Sequence, residues 1–310
     1  MEQQDIYNTI IIGSGPAGLT AALYAARAEL KPLVIAGLTP GGQLMLTTEV
    51  ENYPGFPEGI MGPELMDNMV KQVKRFGTEI INENVTSVDF ANHPFLIKTD
   101  SAEFKTKTVI IATGAEANWL DLPNEQRLRG KGVSACATCD GFFFKEKQVV
   151  VIGGGDSAME EANFLTKFAT HVTLVHRRDE FKASKIMLAR AQNNPKISFV
   201  TNVTVTDVLG DESVAGIKIK HNETGEESEI SAQGYFAAIG HTPVTKLFAE
   251  AGVKVNEKGY IEPEKFTMTN IEGVFVAGDV HDHRYRQAVT AAGEGCKAAL
   301  DVEKYLTAME

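Results

Sequence analysis

Hydrophobic residues in this chain gather into short unbroken runs that stop at glycine, with little alternation of apolar and polar positions. Residues 9–12 run into Gly13-Ser14-Gly15-Pro16-Ala17-Gly18, and residues 148–152 run into Gly153-Gly154-Gly155-Asp156-Ser157-Ala158. Such runs, each ending in a glycine turn, predict strands. A helix is expected after the first turn, beginning near Pro16 and rich in alanine, and a second apolar run follows each turn, at 32–35 and 171–175. Each set is a βαβ unit. Shorter strands are expected at 79–81 and 95–99. Runs at 108–114, 234–240 and 273–279 repeat the hydrophobic-then-glycine ending that marks strands leading to a cofactor edge. The predicted fold class is α/β, with two Rossmann-like dinucleotide-binding domains of three-layer ββα form, the second inserted into the first. The simplest partition puts the first domain at 1–117 and 246–310 and the second at 118–245.

Glycine spacing gives the turns their chemistry. Gly13 permits a tight turn, Gly15 lets backbone approach a pyrophosphate, and Gly18 lets helix and strand pack closely. The phosphate would rest on free amides at the helix start. An ordinary strand–helix turn is the bland alternative, and three correctly spaced glycines count against it. The generic fingerprint next expects an acidic residue about 20 positions on, to hold a ribose. Here Val34-Ile35-Ala36-Gly37 passes instead into Leu38-Thr39-Pro40-Gly41-Gly42-Gln43, so loop backbone and polar groups are expected to hold the ribose. In the later turn Ala158 takes the third glycine's place, and His176-Arg177-Arg178 follows the position an acid would occupy. Two guanidinium groups there suit a 2′-phosphate, pointing to NADPH; a solvated basic patch is the alternative.

Between the turns stands Cys136-Ala137-Thr138-Cys139-Asp140. CxxC spacing lets two sulfurs bond within one turn at a helix start and lowers one thiol's pKa. Half of a zinc site is the competing reading, but no second CxxC or CxxH appears, and His281 with His283 does not close a site, so no metal is expected. Asp140 is the nearest candidate general acid for a leaving thiolate; Asp-Gly turn chemistry is a compatible alternative. A dithiol between two dinucleotide folds implies electrons passing from one nucleotide cofactor to another and then to sulfur. Cys296, in a small-residue helical stretch, is expected to be a buried, inert thiol.

Composition narrows the class further. The chain has 310 residues, 43% of them hydrophobic and 23% charged, which suits a globular protein with two cores. Net charge is -11, so nucleic acid is not an expected partner. Residues 1–5 are polar and acidic and lead straight into the first strand, so no signal peptide is expected. No apolar run nears the roughly 20 residues that span a bilayer. A cytoplasmic location without membrane attachment is expected, and three cysteines are too few for the disulfide scaffold of a secreted domain.

Taken in order, the motifs identify a family. They are GSGPAG at 13–18, GGQL at 41–44, ENYPGF at 51–56, CATCDG at 136–141, GGGDSAMEEA at 153–162, HRRDEF at 176–181, AGDV at 277–280 and YRQA at 285–288. On these the chain closely resembles the bacterial-type, low-molecular-weight thioredoxin reductases over essentially its whole length. The resemblance implies FAD in the first domain, NADPH in the inserted one, a homodimer, and thioredoxin as the protein disulfide substrate. It places Ala36, Gly37, Leu38, Thr39, Pro40, Gly41, Gly42, Gln43 and Asn52 next to the flavin, with Asp279, Arg286, Gln287 and Ala288. It also implies that Cys136 attacks the partner while Cys139 faces the flavin ring.

Lys182 stands where members often carry an arginine, making one 2′-phosphate contact a point charge and leaving the degree of NADPH preference open. Asp156-Ser157 replaces an Asn-Thr pair seen in some members. By the same resemblance the inserted domain rotates about hinges near 115–119 and 240–245. Cys136 would then turn outward beside Phe142, Phe143, Arg129 and Lys131 to meet thioredoxin; burial is the other reading of the phenylalanines. Three rival classes differ from this pattern. A glutathione-reductase-type enzyme would carry its redox cysteines in the first domain, and a ferredoxin–NADP reductase of similar architecture lacks the CxxC. From a different class, a non-catalytic flavin-binding redox sensor would keep the fold without turnover.

Overall fold

The computed structural model describes residues 6–38, 40–47 and 49–309. Thr39 therefore lies outside the described residues, as do the polar residues at 1–5. The chain divides into two compact units, Met1–Glu116 with Thr242–Glu310, and Ala117–His241. Both are α/β.

In the first unit the parallel strands run in the order Glu79–Ile81, Leu33–Ile35, Ile6–Ile12, Glu103–Ile111 and Val274–Val276. Ile11 lies opposite Val34 on one side and Ile110 on the other. Strand side chains alternate between faces. Ile11, Val34, Ile110 and Phe275 pack with Leu19, Ala22 and Val302 from the helices Pro16–Arg27 and Ala288–Met309. Ile10, Ile12, Leu33, Ile35 and Val109 join Phe95 and Ile97 in a second core. That double burial is why the sequence shows unbroken apolar runs. The polar first half of Glu103–Ile111 pairs antiparallel with Phe95–Thr99, which pairs antiparallel with Val85–Asp89. Helices, parallel sheet and antiparallel strands make three layers.

The second unit repeats the plan. Its parallel strands run Val133–Ser134, Gly234–Ala237, Gln148–Ile152, His171–Val175 and Ile197–Val200. Val149, Val151 and Phe236 pack with Ala158, Met159 and Ala162 of the helix Asp156–Leu165. Val150, Ile152 and Tyr235 pack instead with Val203, Val205 and Ile217. These last come from an antiparallel sheet, Val203–Leu209, Gly216–His221 and Glu227–Ser231, which the sequence pattern does not predict. Thr204, Lys220 and Glu229 occupy its exposed positions and break up the apolar signal.

The segments joining the units, Ala115–Ala117 and His241–Pro243, pair as a two-stranded ribbon. Within the inserted unit the Asn118 N–H donates to the Gly240 carbonyl at 2.9 Å, bonding its two ends to each other. No helix among the described residues is long and apolar enough to cross a membrane.

Candidate active site

Cys136 and Cys139 form a disulfide with a Cα–Cα distance of 5.3 Å. The strand Val133–Ser134 delivers the chain to Cys136, which is the N-cap of the short helix Ala137–Asp140. Buried Ser134 fixes this entry by accepting the Cys136 N–H at 3.0 Å. The Cys139 N–H donates to Cys136 Sγ at 3.2 Å, and Thr138 Oγ1 lies 3.3 Å from the same sulfur. Burial raises the Asp140 carboxyl above the usual carboxylate range, and a hydrogen bond with Ser134 opposes the rise. An acid in such a setting keeps its proton to higher pH than a solvated aspartate, which suits proton delivery.

The following Gly141–Phe144 turn divides its phenylalanines. Phe144 is buried with its ring edge-on to Phe236 at 5.1 Å, and Phe143 packs partly against the same core. Phe142 is exposed and meets Phe168 at 6.0 Å. Arg129 lies over the Trp119 ring, 3.9 Å from its centroid, while Lys131 is exposed.

In the first glycine turn, Gly13 has a φ of 114°, and a Cβ there would lie 2.2 Å from the Ala112 carbonyl oxygen. Gly15 is the N-cap of the helix Pro16–Arg27, and no atom lies within 4 Å of where its Cβ would be. Backbone on that side is open to a ligand. Ser14 ties this turn to the second loop: its hydroxyl donates to the Ala36 carbonyl at 3.0 Å and accepts the Gly41 N–H at 2.9 Å. Gly37 N–H donates to the Glu83 carbonyl, and Leu38 N–H to Asn84 Oδ1 at 3.3 Å. Gly42 and exposed Gln43 open the turn Gly42–Leu46, after Pro40 and Gly41.

Gly278 brings Asp279 to the same end of the sheet, since its Cβ position is 2.8 Å from Ala17 Cβ. Burial pushes the Asp279 carboxyl up to about 6, with Asp282 adding and Arg286 opposing. Its Oδ1 is buried without a hydrogen-bond partner among the described residues. Asn52 Nδ2 donates to Gln287 Oε1 at 3.4 Å, and Ala288 opens the last helix. The structure thus brings Gly13–Gly18, the second loop, Asn52 and Asp279–Ala288 into one unit.

The later turn has the same open N-cap at Gly155, with nothing within 4 Å of its Cβ position. Gly154 is covered by the His176 ring, 2.3 Å from where a Cβ would be. The Gly154 carbonyl accepts the N–H groups of Lys182 and Ala183, and Asp156 Oδ1 accepts Ser184 N–H at 2.7 Å. His176 stacks on Phe181 and donates from Nε2 to the Glu180 carbonyl at 3.2 Å. Burial lowers its pKa; the Glu180 bond opposes this, and Arg177 with Arg178 lowers it further. His176 is therefore a neutral wall of the turn at pH 7, while Arg177, Arg178 and Lys182 stand exposed beside it.

Residues 7–295 match the family described as pyridine nucleotide-disulphide oxidoreductase. The chain is 53% identical over 304 residues to a thioredoxin reductase of Mycolicibacterium smegmatis, covering 98% of this chain and 97% of that one. The chain belongs to this family. Among solved structures, thioredoxin reductase from Giardia duodenalis has a TM-score of 0.93 at 42% identity, covering 98% of this chain and all 100% of that one. Lactococcus lactis thioredoxin reductase in an FR conformation is also 42% identical, with a TM-score of 0.66 over 97% of this chain and 99% of that one.

Family membership does not account for every contact just described. Ser134, Thr138, Asn84 and Phe181 all support predicted site residues without standing in any of the glycine or cysteine positions that carry the motifs. Ser134 and Thr138 lie within two residues of Cys136 and were there to be found; Asn84 is 46 residues from the loop it holds and leaves no local signal. His281 and His283 have partners of their own, Glu294 at 3.2 Å and the Tyr260 ring. Cys296 is half-buried instead of fully buried, and it lies beside exposed Tyr24, whose hydroxyl pKa it raises.

Proposed function

We propose that this protein is an NADPH-dependent flavoprotein disulfide reductase that reduces thioredoxin through the Cys136–Cys139 pair. The observation that carries the reading is that disulfide, set at a helix start in a unit that also holds a dinucleotide turn. The remaining groups fit the cofactors. Open Gly15, the loop clamped by Ser14, and the orphaned Asp279 Oδ1 suit FAD, since a buried acceptor without a partner suits a ligand hydroxyl. Open Gly155 with exposed Arg177, Arg178 and Lys182 suits the pyrophosphate and 2′-phosphate of NADPH. Bound FAD supplies a two-electron relay between the nicotinamide hydride and the disulfide.

Once reduced, Cys136 attacks a thioredoxin disulfide sulfur, and the leaving partner sulfur takes the proton that Asp140 holds. Cys139 then attacks Cys136 Sγ, and the proton it gives up passes to the second partner sulfur as that sulfur departs, so the disulfide is restored and the partner leaves as a dithiol. Exposed Phe142 with Arg129 and Lys131 forms the docking face. The protein works as a cytoplasmic homodimer, and the inserted unit rotates on the paired segments between half-reactions. Two relatives of equal identity, with TM-scores of 0.93 and 0.66, support a family with more than one arrangement.

Purified protein should be yellow and oxidise NADPH steadily when given a thioredoxin disulfide. Cys136→Ser and Cys139→Ser should each abolish that turnover and keep flavin reduction by NADPH. Full turnover in either serine variant would overturn the scheme, and flavin without turnover in the parent protein would favour a redox sensor.

A further inference from the structure

Two hydrogen-bond donors converge on one sulfur of the CxxC. The Thr138 hydroxyl lies 3.3 Å from Cys136 Sγ, and the Cys139 N–H donates to the same atom at 3.2 Å. A disulfide sulfur carries no hydrogen, so in the Thr138 contact the hydroxyl is the donor. Ser134 holds the backbone at this point by accepting the Cys136 N–H, which keeps the sulfur in reach of both donors. Thr138 is itself exposed on the helix surface, where loss of its hydroxyl empties no core.

We propose that Thr138 is a catalytic residue: its hydroxyl donates to Cys136 Sγ and holds the reduced sulfur as the thiolate, which makes Cys136 the nucleophile. Two electrons and one proton added to the disulfide break the S–S bond and leave one thiolate and one thiol. With both donors on Cys136, the negative charge settles there and the proton on Cys139. A hydrogen bond to a neutral sulfur is weak, whereas one to a thiolate is charge-assisted and much stronger. The Thr138 bond therefore stabilises the reduced nucleophile more than the resting disulfide. The thiolate attacks one sulfur of the partner disulfide, and the other departs with the electron pair and takes up a proton. Only this last step rests on the function proposed above.

The test uses full-length, flavin-loaded protein carrying Cys139→Ser, so that Cys136 titrates without a coupled thiol. Alkylation of Cys136 by iodoacetamide is followed against pH by peptide mass spectrometry, which separates it from Cys296. Thr138→Val removes the hydroxyl and keeps the branched shape; Thr138→Ser keeps the hydroxyl. Loss of a bond to a charged group should move the midpoint up by roughly one pH unit in the valine variant, slowing alkylation about tenfold at neutral pH. At high pH, where the thiolate is complete in all forms, rates should converge. The serine variant should stay within about twofold of threonine. A valine profile that overlays the threonine one overturns the proposal, as does a serine variant shifted as far as valine. Turnover with a thioredoxin disulfide is measured in parallel on protein with both cysteines. No turnover with the Thr138 shift intact removes the proposed function alone; turnover without the shift removes this inference alone.

Discussion

Ser134 shapes the dithiol's chemistry from two residues away. Its hydroxyl accepts the Cys136 N–H and bonds Asp140, so it links the sulfur's backbone to the acid beside it. Asp140 is raised by burial, so its proton persists to higher pH, and partner reduction should decline as pH rises through that shifted value. Asp140→Asn should slow partner reduction by roughly 10²–10⁴ and abolish that decline, with flavin reduction by NADPH unchanged; stopped-flow traces of the two half-reactions check both parts. A second carboxylate offers a stability test. Asp279 is pushed up to about 6, so its protonated form favours the fold. In flavin-free protein its contribution is complete below the ordinary aspartate value of about 4 and is lost as pH rises through about 6. Asp279→Asn should flatten that part of the profile when unfolding midpoints are measured against pH. The CxxC was legible because its chemistry is local. Asn84 and the Ser14 clamp were not, because their partners are distant in sequence.

Helix contact sets how closely the first nucleotide turn is held. A Cβ on Gly295 would lie 2.1 Å from the Ala17 carbonyl oxygen, so the final helix can approach Pro16–Arg27 only because residue 295 is glycine. Gly295→Val should force the helices apart and destabilise the protein by about 1–3 kcal/mol, lowering Tm. The shifted helix begins at Ala288, next to Arg286 and Gln287, so flavin retention on gel filtration should fall as well. Parallel strands such as Gln148–Ile152 were readable because burial on both faces leaves residues 149–152 all apolar. The nine-residue strand Glu103–Ile111 was read only from residue 108 on, since Glu103, Lys105 and Lys107 give its first half a polar face. Glu227–Ser231 escaped entirely: it is a pairing strand with almost no apolar signal.

At the scale of the whole molecule the proposed cycle asks one dithiol to meet a flavin and a protein partner in turn. On that proposal, a bulky protein partner would not be served by a single fixed arrangement, and hinge switching is a known solution. An engineered disulfide or bifunctional crosslink locking the inserted unit should stop steady turnover and spare one half-reaction. Full turnover in the locked protein would refute the rotation. Two domains and their insertion were legible because each glycine turn starts a complete βαβ unit; the ribbon between them was not, since three-residue strands carry no periodic pattern.

The Asn118–Gly240 bond has a consequence for how this chain can be taken apart. A segment whose first and last residues are bonded to each other behaves as a closed module: the rest of the chain sees a short splice where it enters and leaves. Deleting such a module leaves the remainder only a short loop to close. Residues 117–241 expressed alone should therefore fold cooperatively, judged by a single sharp transition in circular dichroism, and should still form the Cys136–Cys139 bond. A gene for the remainder, with a short glycine linker replacing the module, should yield a protein that stays yellow and cannot reduce thioredoxin. The enzyme would then be two separable machines that share one pair of splice points.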